Sequence, residues 1–164
     1  MTAHVRMGEL HVSSSPGNEI AAIGLGSCIG LAIVDRHAGV AGMAHIVLPQ
    51  SAGSAGPLAK FADTAVPELL AQLQRAGAQR GRCEVALAGG ARMFAMSTGL
   101  AIGDRNQEAV RAALARERLA VHAAATGGER GRTLRVIVGD WAVTVQEPGG
   151  DRVALLGTKS RPPR

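Results

Sequence analysis

The sequence has 164 residues, of which 46% are hydrophobic and 19% charged, and it contains 22 glycines and 7 prolines. This balance is typical of a globular protein and excludes collagen-like and low-complexity chains. The formal net charge of +5 favours an acidic partner. Nucleic acid is not the partner we expect, because single-strand binding proteins usually stack bases on aromatic rings and this chain has two Phe, one Trp and no Tyr.

The first part of the chain predicts three strands. Residues 20–23 and 28–34 are apolar and are separated by a glycine turn at 24–27, and a third apolar run spans 40–48. The polar segment 35–39, which ends in glycine, has the length of a hairpin connection. We therefore predict a hairpin formed by the second and third strands.

The remainder of the chain predicts two helices among further strands. Apolar residues recur at helical spacing over 60–74, and Asn106 is predicted to cap a second helix that ends near Arg116. The predicted strands are 82–88, 119–124, 132–138 and 141–147, the last two joined by a two-residue turn at Gly139 and Asp140.

These elements predict an α+β fold in which helices pack on a mixed, largely antiparallel β-sheet. We expect a single domain over residues 1–158, followed by a basic, proline-bearing and disordered tail at 159–164. No apolar run reaches the roughly 18 to 20 residues of a membrane span, and the N-terminus lacks the pattern of an export signal. The expected location is the cytoplasm, with no membrane insertion.

Cys28 is the residue best placed to carry chemistry, because it directly follows the glycine turn. Glycines at that position let a substrate approach the backbone and leave amide N–H groups able to stabilise an oxyanion. A thiol needs a nearby base to become a nucleophile. If Asp35 and Val40 are the first pair of the hairpin, His45 stands opposite Gly30, and Cys28 is its diagonal neighbour on the same face at about 7 to 8 Å. A shift of one residue would place the two side chains on opposite faces.

Structural interpretations compete with this one. A cysteine in an apolar strand is most often buried filler, and His45 could equally be a hydrogen-bonded core histidine. Cys83 begins a strand without glycines or a paired histidine, so we predict a structural role for it. The other histidines have no ligand spacing, and we expect neither a metal nor a cofactor. The pairs Gly89-Gly90 and Gly127-Gly128 match no phosphate-binding fingerprint and are predicted to be turn glycines.

Several segments together resemble the CheD family of chemoreceptor glutamine deamidases. The resemblance begins with the run 24–28, which ends in Gly-Ser-Cys, and continues with His45 in the run 42–49. It extends through later blocks in family order, at 61–66, 88–94, 102–106 and 126–128. It implies hydrolysis of particular glutamine side chains to glutamate on methyl-accepting chemotaxis receptors, through a cysteine thioester. It also implies a fold similar to the catalytic domain of cytotoxic necrotizing factor toxins.

The same resemblance implies a role for each site residue. Cys28 would be the nucleophile and His45 the general base, with Gly26 and Ser27 contributing to the oxyanion hole or to positioning. The family has a threonine at the position of Ala22, and alanine has no hydroxyl to orient the imidazole. A backbone carbonyl, a water or the Ser27 hydroxyl could take over that role. The alternative function is a weakly catalytic or non-catalytic adaptor that binds chemoreceptors or a CheC-type phosphatase.

Overall fold

The computed structural model describes residues 1–93 and 101–158, which form two five-stranded β-sheets and two α-helices. The elements, in chain order, are β1 (Thr2–His4), β2 (Leu10–Ser13), β3 (Glu19–Leu25), β4 (Ile29–Asp35), β5 (Val40–Ile46), α1 (Ala62–Arg75), β6 (Glu84–Gly89), α2 (Ile102–Arg116), β7 (Ala123–Thr126), β8 (Arg132–Ile137), β9 (Val143–Gln146) and β10 (Val153–Leu156).

Both sheets are mixed. The first has the order β1-β3-β8-β9-β10 and the second the order β2-β5-β4-β6-β7. The pairs β1/β3 and β6/β7 are parallel, and the other paired strands run antiparallel. The α+β class with mixed, largely antiparallel pairing is therefore confirmed, whereas the division into two sheets was not predicted.

Strand β4 shows how the layers are stacked. Ile29, Leu31 and Ile33 pack in a core shared with α1 and α2. Ala32 and Val34, which alternate with them, pack against residues of the first sheet. Successive side chains of a strand point to opposite faces, so a strand covered on both sides is apolar throughout. The helices thus cover one face of the second sheet, and the first sheet covers the other.

Several predicted boundaries were wrong. Helix α2 begins at Ile102, so Asn106 lies inside the helix and is not its cap. The last hairpin has a five-residue connection between Ile137 and Val143 in place of the predicted two-residue turn. Within this connection the N–H of Trp141 donates to the carbonyl of Ile137 (2.7 Å). The predicted strand 119–124 is shifted to Ala123–Thr126.

No helix in the described ranges 1–93 and 101–158 is long and apolar enough to cross a membrane. The predicted tail at 159–164 lies outside the described residues, and the single-domain organisation stays a prediction.

The buried Asp35 carboxylate ends β4 and fixes the chain around it. It accepts the N–H of Ala38 (3.0 Å), the N–H of Gln79 (2.9 Å) and Nε of Arg82 (3.2 Å). Burial by itself raises the pKa of Asp35. The two backbone N–H groups and the Arg82 guanidinium together lower it by more than burial raises it, so the pKa lies below its ordinary value. The ionised carboxylate therefore stabilises the folded state.

We expect Asp35→Asn to lower the free energy of unfolding at pH 7 by about 2–4 kcal/mol, because it breaks charged hydrogen bonds in a buried site. A lowered folded-state pKa gives stability that is present above the unfolded pKa, near about 4, and is lost as the pH falls through the folded value. The difference from wild type should therefore shrink below about pH 4. Urea unfolding at pH 7, 5 and 3 measures it, with the exposed Asp140→Asn as control. A difference that does not change with pH would contradict this account.

Candidate active site

Cys28 lies between the glycine turn and the first residue of β4, and it is 8% exposed. Two backbone hydrogen bonds fix the turn: Gly90 donates to the carbonyl of Cys28 (2.9 Å) and Ala91 donates to that of Gly26 (2.9 Å). No other residue of the described part of the chain accepts a hydrogen bond from the N–H of Ser27 or from that of Cys28. This turn therefore places two backbone N–H groups, which bind no other described residue, next to a thiol.

His45 lies in β5 in the predicted register. Gly30 pairs with His45 and Asp35 pairs with Val40, so the hairpin register derived from the sequence is confirmed. Cys28 belongs to the core between the two sheets. His45 is two positions from Met43, another residue of that core, and therefore points to the same face of the strand. The two side chains share the face that the first sheet covers.

The His45 ring is held by the N-terminal segment. Its Nδ1 lies 2.9 Å from the carbonyl oxygen of Val5. A carbonyl only accepts, so Nδ1 carries the proton and Nε2 keeps its lone pair. The backbone of His45 is bound by the same segment, since its N–H donates to the backbone carbonyl of Glu9 (3.0 Å) and its carbonyl accepts the N–H of Gly8 (2.9 Å). Both the ring and the main chain of His45 thus depend on residues 5–9.

Burial shifts the titration of both groups. It lowers the pKa of His45 below its ordinary value of 6.5, although the Val5 carbonyl and the charge of Glu9 oppose this. It raises the pKa of the Cys28 thiol above its ordinary value of 9.0, although the backbone N–H of Cys28 itself lowers it. At neutral pH the site therefore holds a thiol and an uncharged imidazole rather than a thiolate and an imidazolium.

Two depressions lie in this region, one lined by His45 and the other by Ser27. One has a volume of about 430 Å³ and reaches His45. Its other lining residues are His4, Val5, Arg6, Met7 and Ile23. The second, of about 200 Å³, is bordered by Ser27, and Met93 and Ile102 supply part of its apolar wall. One depression therefore borders His45, and the other borders the turn that precedes Cys28.

Ala22, which the sequence analysis matched to a threonine of the resembled family, is fully buried. It lies in β3 opposite Leu134, in the core between the sheets. Of the groups considered as replacements for the missing hydroxyl, it is a backbone carbonyl, that of Val5, that bonds to the ring of His45. Residue types in the sequence do not predict this contact, because every residue has a backbone carbonyl.

Asn106 contacts the same region from α2. It is fully buried, and its Nδ2 donates to the carbonyl of Ser27 (3.0 Å) and to that of Val47 (2.9 Å). The sequence analysis assigned it to a helix end because asparagine prefers that position. The sequence signal for a buried position within the helix is the helical spacing of Asn106 and Val110, which places both on the buried face of α2.

Gly89 and Gly90 allow a close approach to Cys28. Both have positive φ, +108° and +65°. A Cβ at Gly89 would lie 2.1 Å from the carbonyl oxygen of Cys28. Gly89 is the last residue of β6 and is a close-contact glycine rather than the predicted turn glycine, and Gly90 follows the strand.

We expect Gly89→Ala to lower the free energy of unfolding by about 2–4 kcal/mol, the combined effect of a strained φ and an overlap with backbone. Denaturant unfolding measures this loss. Gly81→Ala is the matched control, because a Cβ there meets nothing within 4 Å and φ is not positive. Equal losses in the two variants would contradict the close-approach interpretation.

Cys83 is a thiol of a different kind. Its Sγ donates to the carbonyl of Gln79 (3.4 Å), and it packs in the core under the helices. Burial and the nearby Asp35 charge raise its pKa to about 11, against the opposing charges of Arg82 and Arg80. These contacts agree with the structural role predicted for it.

Comparison with known proteins identifies the family. The model of the family described as CheD chemotactic sensory transduction matches residues 47–147. A probable chemoreceptor glutamine deamidase CheD of Symbiobacterium thermophilum is 43% identical over 151 residues, which cover 88% of this chain and 92% of the relative. The chemoreceptor glutamine deamidase CheD of Thermotoga maritima is 40% identical over 146 residues, which cover 89% and 92%. Such alignments are long enough to include positions 28 and 45. The chain belongs to the CheD family.

Proposed function

We propose that this protein hydrolyses glutamine side chains of chemoreceptors to glutamate, with Cys28 as nucleophile and His45 as general base. The observation that carries the proposal is the state of His45. Its imidazole is buried on the face that it shares with Cys28, and its Nδ1 proton is committed to the Val5 carbonyl. Family membership supports the same activity, since the relatives reported above are named chemoreceptor glutamine deamidases.

The first half of the reaction forms a thioester. His45 Nε2 takes the proton of the Cys28 thiol as Sγ attacks the carboxamide carbon of the glutamine. The C=O π electrons move to oxygen and give a tetrahedral oxyanion. When that intermediate collapses, the C–N bond breaks, the nitrogen takes the proton from His45, and ammonia leaves. Cys28 then carries the glutamyl group as a thioester.

The second half consumes one water. His45 Nε2 takes a proton from the water molecule as the water oxygen attacks the thioester carbon. Collapse of the second tetrahedral intermediate breaks the C–S bond, and the proton returns from His45 to the sulfur. The balance is glutamine plus water to glutamate plus ammonia, with the thiol and the imidazole restored.

The N–H groups of Ser27 and Cys28 are the proposed oxyanion donors. They adjoin the attacking sulfur, and no other described residue accepts a hydrogen bond from them. Backbone donors of this kind each contribute about 10²- to 10³-fold in rate. Gly26 has the supporting role of holding the turn, because its carbonyl accepts the N–H of Ala91.

The uncharged resting state explains why a base is needed. Burial raises the pKa of Cys28, so little thiolate exists at neutral pH. Burial lowers the pKa of His45, so its Nε2 is unprotonated and able to accept. The proposed mechanism therefore moves the thiol proton during attack rather than before it. Ala22 is compatible with this chemistry because the Val5 carbonyl fixes the tautomer.

The proposed substrate is the cytoplasmic part of methyl-accepting chemotaxis receptors, which places the proposed activity in the cytoplasm. A net charge of +5 steers the protein toward acidic surfaces in a salt-dependent way. The depression that reaches His45 offers about 430 Å³ beside the base, enough for a glutamine side chain. The similarity to the catalytic domain of cytotoxic necrotizing factor toxins stays a prediction.

The test is direct. The purified protein is incubated with a cytoplasmic receptor fragment, and glutamine-to-glutamate conversion is followed by peptide mass spectrometry. We expect conversion at particular glutamines, accompanied by release of ammonia. A folded protein that converts no glutamine in several receptors would overturn the proposal.

A second candidate is the adaptor that binds receptors or a CheC-type phosphatase without catalysis. Ala22 favours it, because the family hydroxyl is missing. The two candidates differ in their dependence on the thiol. An adaptor keeps its partner binding and its effect on receptor signalling in Cys28→Ala, whereas a deamidase loses conversion.

A further inference from the structure

Asn106 lies where the β4–β5 hairpin opens. The last pair of the hairpin is Ile29 with Ile46. Beyond it the two strands take separate partners: the carbonyl of Cys28 accepts from Gly90, and the N–H of Val47 donates to Lys60. Cys28 lies one residue beyond this last pair and His45 one residue inside it, so the proposed nucleophile and base flank the fork at which the two strands separate.

One side chain spans this fork. Asn106 Nδ2 donates one N–H to the carbonyl of Ser27, the residue before Cys28, at 3.0 Å. It donates the other to the carbonyl of Val47, two residues after His45, at 2.9 Å. Both amide protons are used, one on each arm of the fork.

The orientation of this amide is not ambiguous. Reversing it would place its oxygen against two carbonyl oxygens, which only accept. The observed orientation leaves Oδ1 buried, with no hydrogen-bond partner among residues 1–93 and 101–158. An unpaired buried acceptor costs free energy, and an apolar residue at this helix position would avoid that cost but would remove the donor that the carbonyls of Ser27 and Val47 share. Those two carbonyls, rather than the helix core around Val110 and Leu114, account for an asparagine here.

We propose that Asn106 is a positioning residue that sets the separation of Cys28 and His45 by fastening the two arms of the fork to α2. We call the two hydrogen bonds the Asn106 tether. The inference rests on the proposed function, because it assigns the tether to the geometry of that thiol and that imidazole. Proton transfer and attack tolerate little displacement, and about 1 Å of misplacement can cost 10²-fold in rate.

The test asks how far the reactivity of Cys28 depends on His45. The rate of Cys28 alkylation by iodoacetamide at pH 7 is measured in the protein that keeps His45 and in its His45→Gln variant. The first rate divided by the second is the ratio used below. Cys83→Ala is present throughout so that Cys28 is the thiol modified. This ratio needs no receptor and reports directly on the coupling of the two groups.

We expect a ratio of about tenfold or more with Asn106 in place, the size of a general-base contribution at its lower end. With Asn106→Asp, which has the same shape but no N–H to donate, the ratio should fall toward one. The same variant should lose about 10²-fold in kcat on the receptor fragment with little change in KM. Val110→Ala, which removes buried volume on the same face of α2 without touching the tether, should keep the ratio.

Two results overturn the tether: a ratio that Asn106→Asp leaves unchanged, or an equal fall in Val110→Ala. A ratio near one in the parent protein overturns it as well. If Asn106→Asp does not fold, Asn106→Ala removes the amide without burying a charge, and the same outcomes decide. A His45-dependent ratio that needs Asn106, in a protein that deamidates no receptor, supports the tether and contradicts the proposed function.

Discussion

Replacing Cys28 with alanine should lower the rate of receptor deamidation by about 10⁴-fold or more, because the covalent pathway disappears with the nucleophile. The fold should persist, since the variant removes one sulfur atom from a residue that is already at the edge of the core, at 8% exposure. Peptide mass spectrometry of a receptor fragment gives the rate, and circular dichroism gives the folded state.

Cys83→Ala is the matched control for that experiment. It also removes a buried thiol, but one that bonds to the Gln79 carbonyl and has a pKa of about 11. We expect it to keep the deamidation rate while losing some stability. If Cys28→Ala stays active, or if Cys83→Ala loses activity without unfolding, the assignment of the nucleophile is wrong.

Replacing His45 with glutamine should lower kcat/KM by about 10²- to 10⁴-fold, the usual range for a general acid–base residue. Glutamine retains an N–H that can donate to the Val5 carbonyl, but it cannot accept a proton from the thiol. The comparison of His45→Gln with the wild type therefore separates the loss of a proton acceptor from the loss of the hydrogen bond to Val5. The exposed His37→Gln is the control that changes a histidine elsewhere.

The pH profile adds a second readout for His45. The active imidazole is neutral, so activity is lost as the pH falls through the pKa of His45. Because burial lowers that pKa below 6.5, the acid limb of kcat/KM should lie below pH 6.5. An acid limb above pH 7, or a glutamine variant with an unchanged profile, would contradict the role of His45 as the base.

The hairpin that carries the site was predictable because its determinants are local. The polar connection 35–39 is short, and its ends set which residues pair, so the position of His45 opposite Gly30 followed from the count. Burial on both faces of β4 left a continuous apolar run that the sequence displays. Local turn chemistry and strand pattern agree here, and the register is correct as a result.

The contacts around the site were not predictable because they are distant in sequence. Asn106 bonds to carbonyls 79 and 59 residues away, whereas the preference of asparagine for helix caps is a local tendency. The Val5 carbonyl is 40 residues from His45 and belongs to the main chain, which carries no sequence signature. The strands β1, β2 and β10 have three or four residues each, too few to show a period.

The N-terminal segment has a practical consequence for anyone preparing the protein. Residues 5–9 lie outside the matched range 47–147, yet they supply the acceptor for the His45 ring proton and both backbone partners of that residue. A chain trimmed by nine residues would keep the thiol and the imidazole in its sequence while leaving the ring free to change tautomer. Differences in activity between preparations with different N-termini would then measure how far the ring and the main chain of His45 depend on this segment.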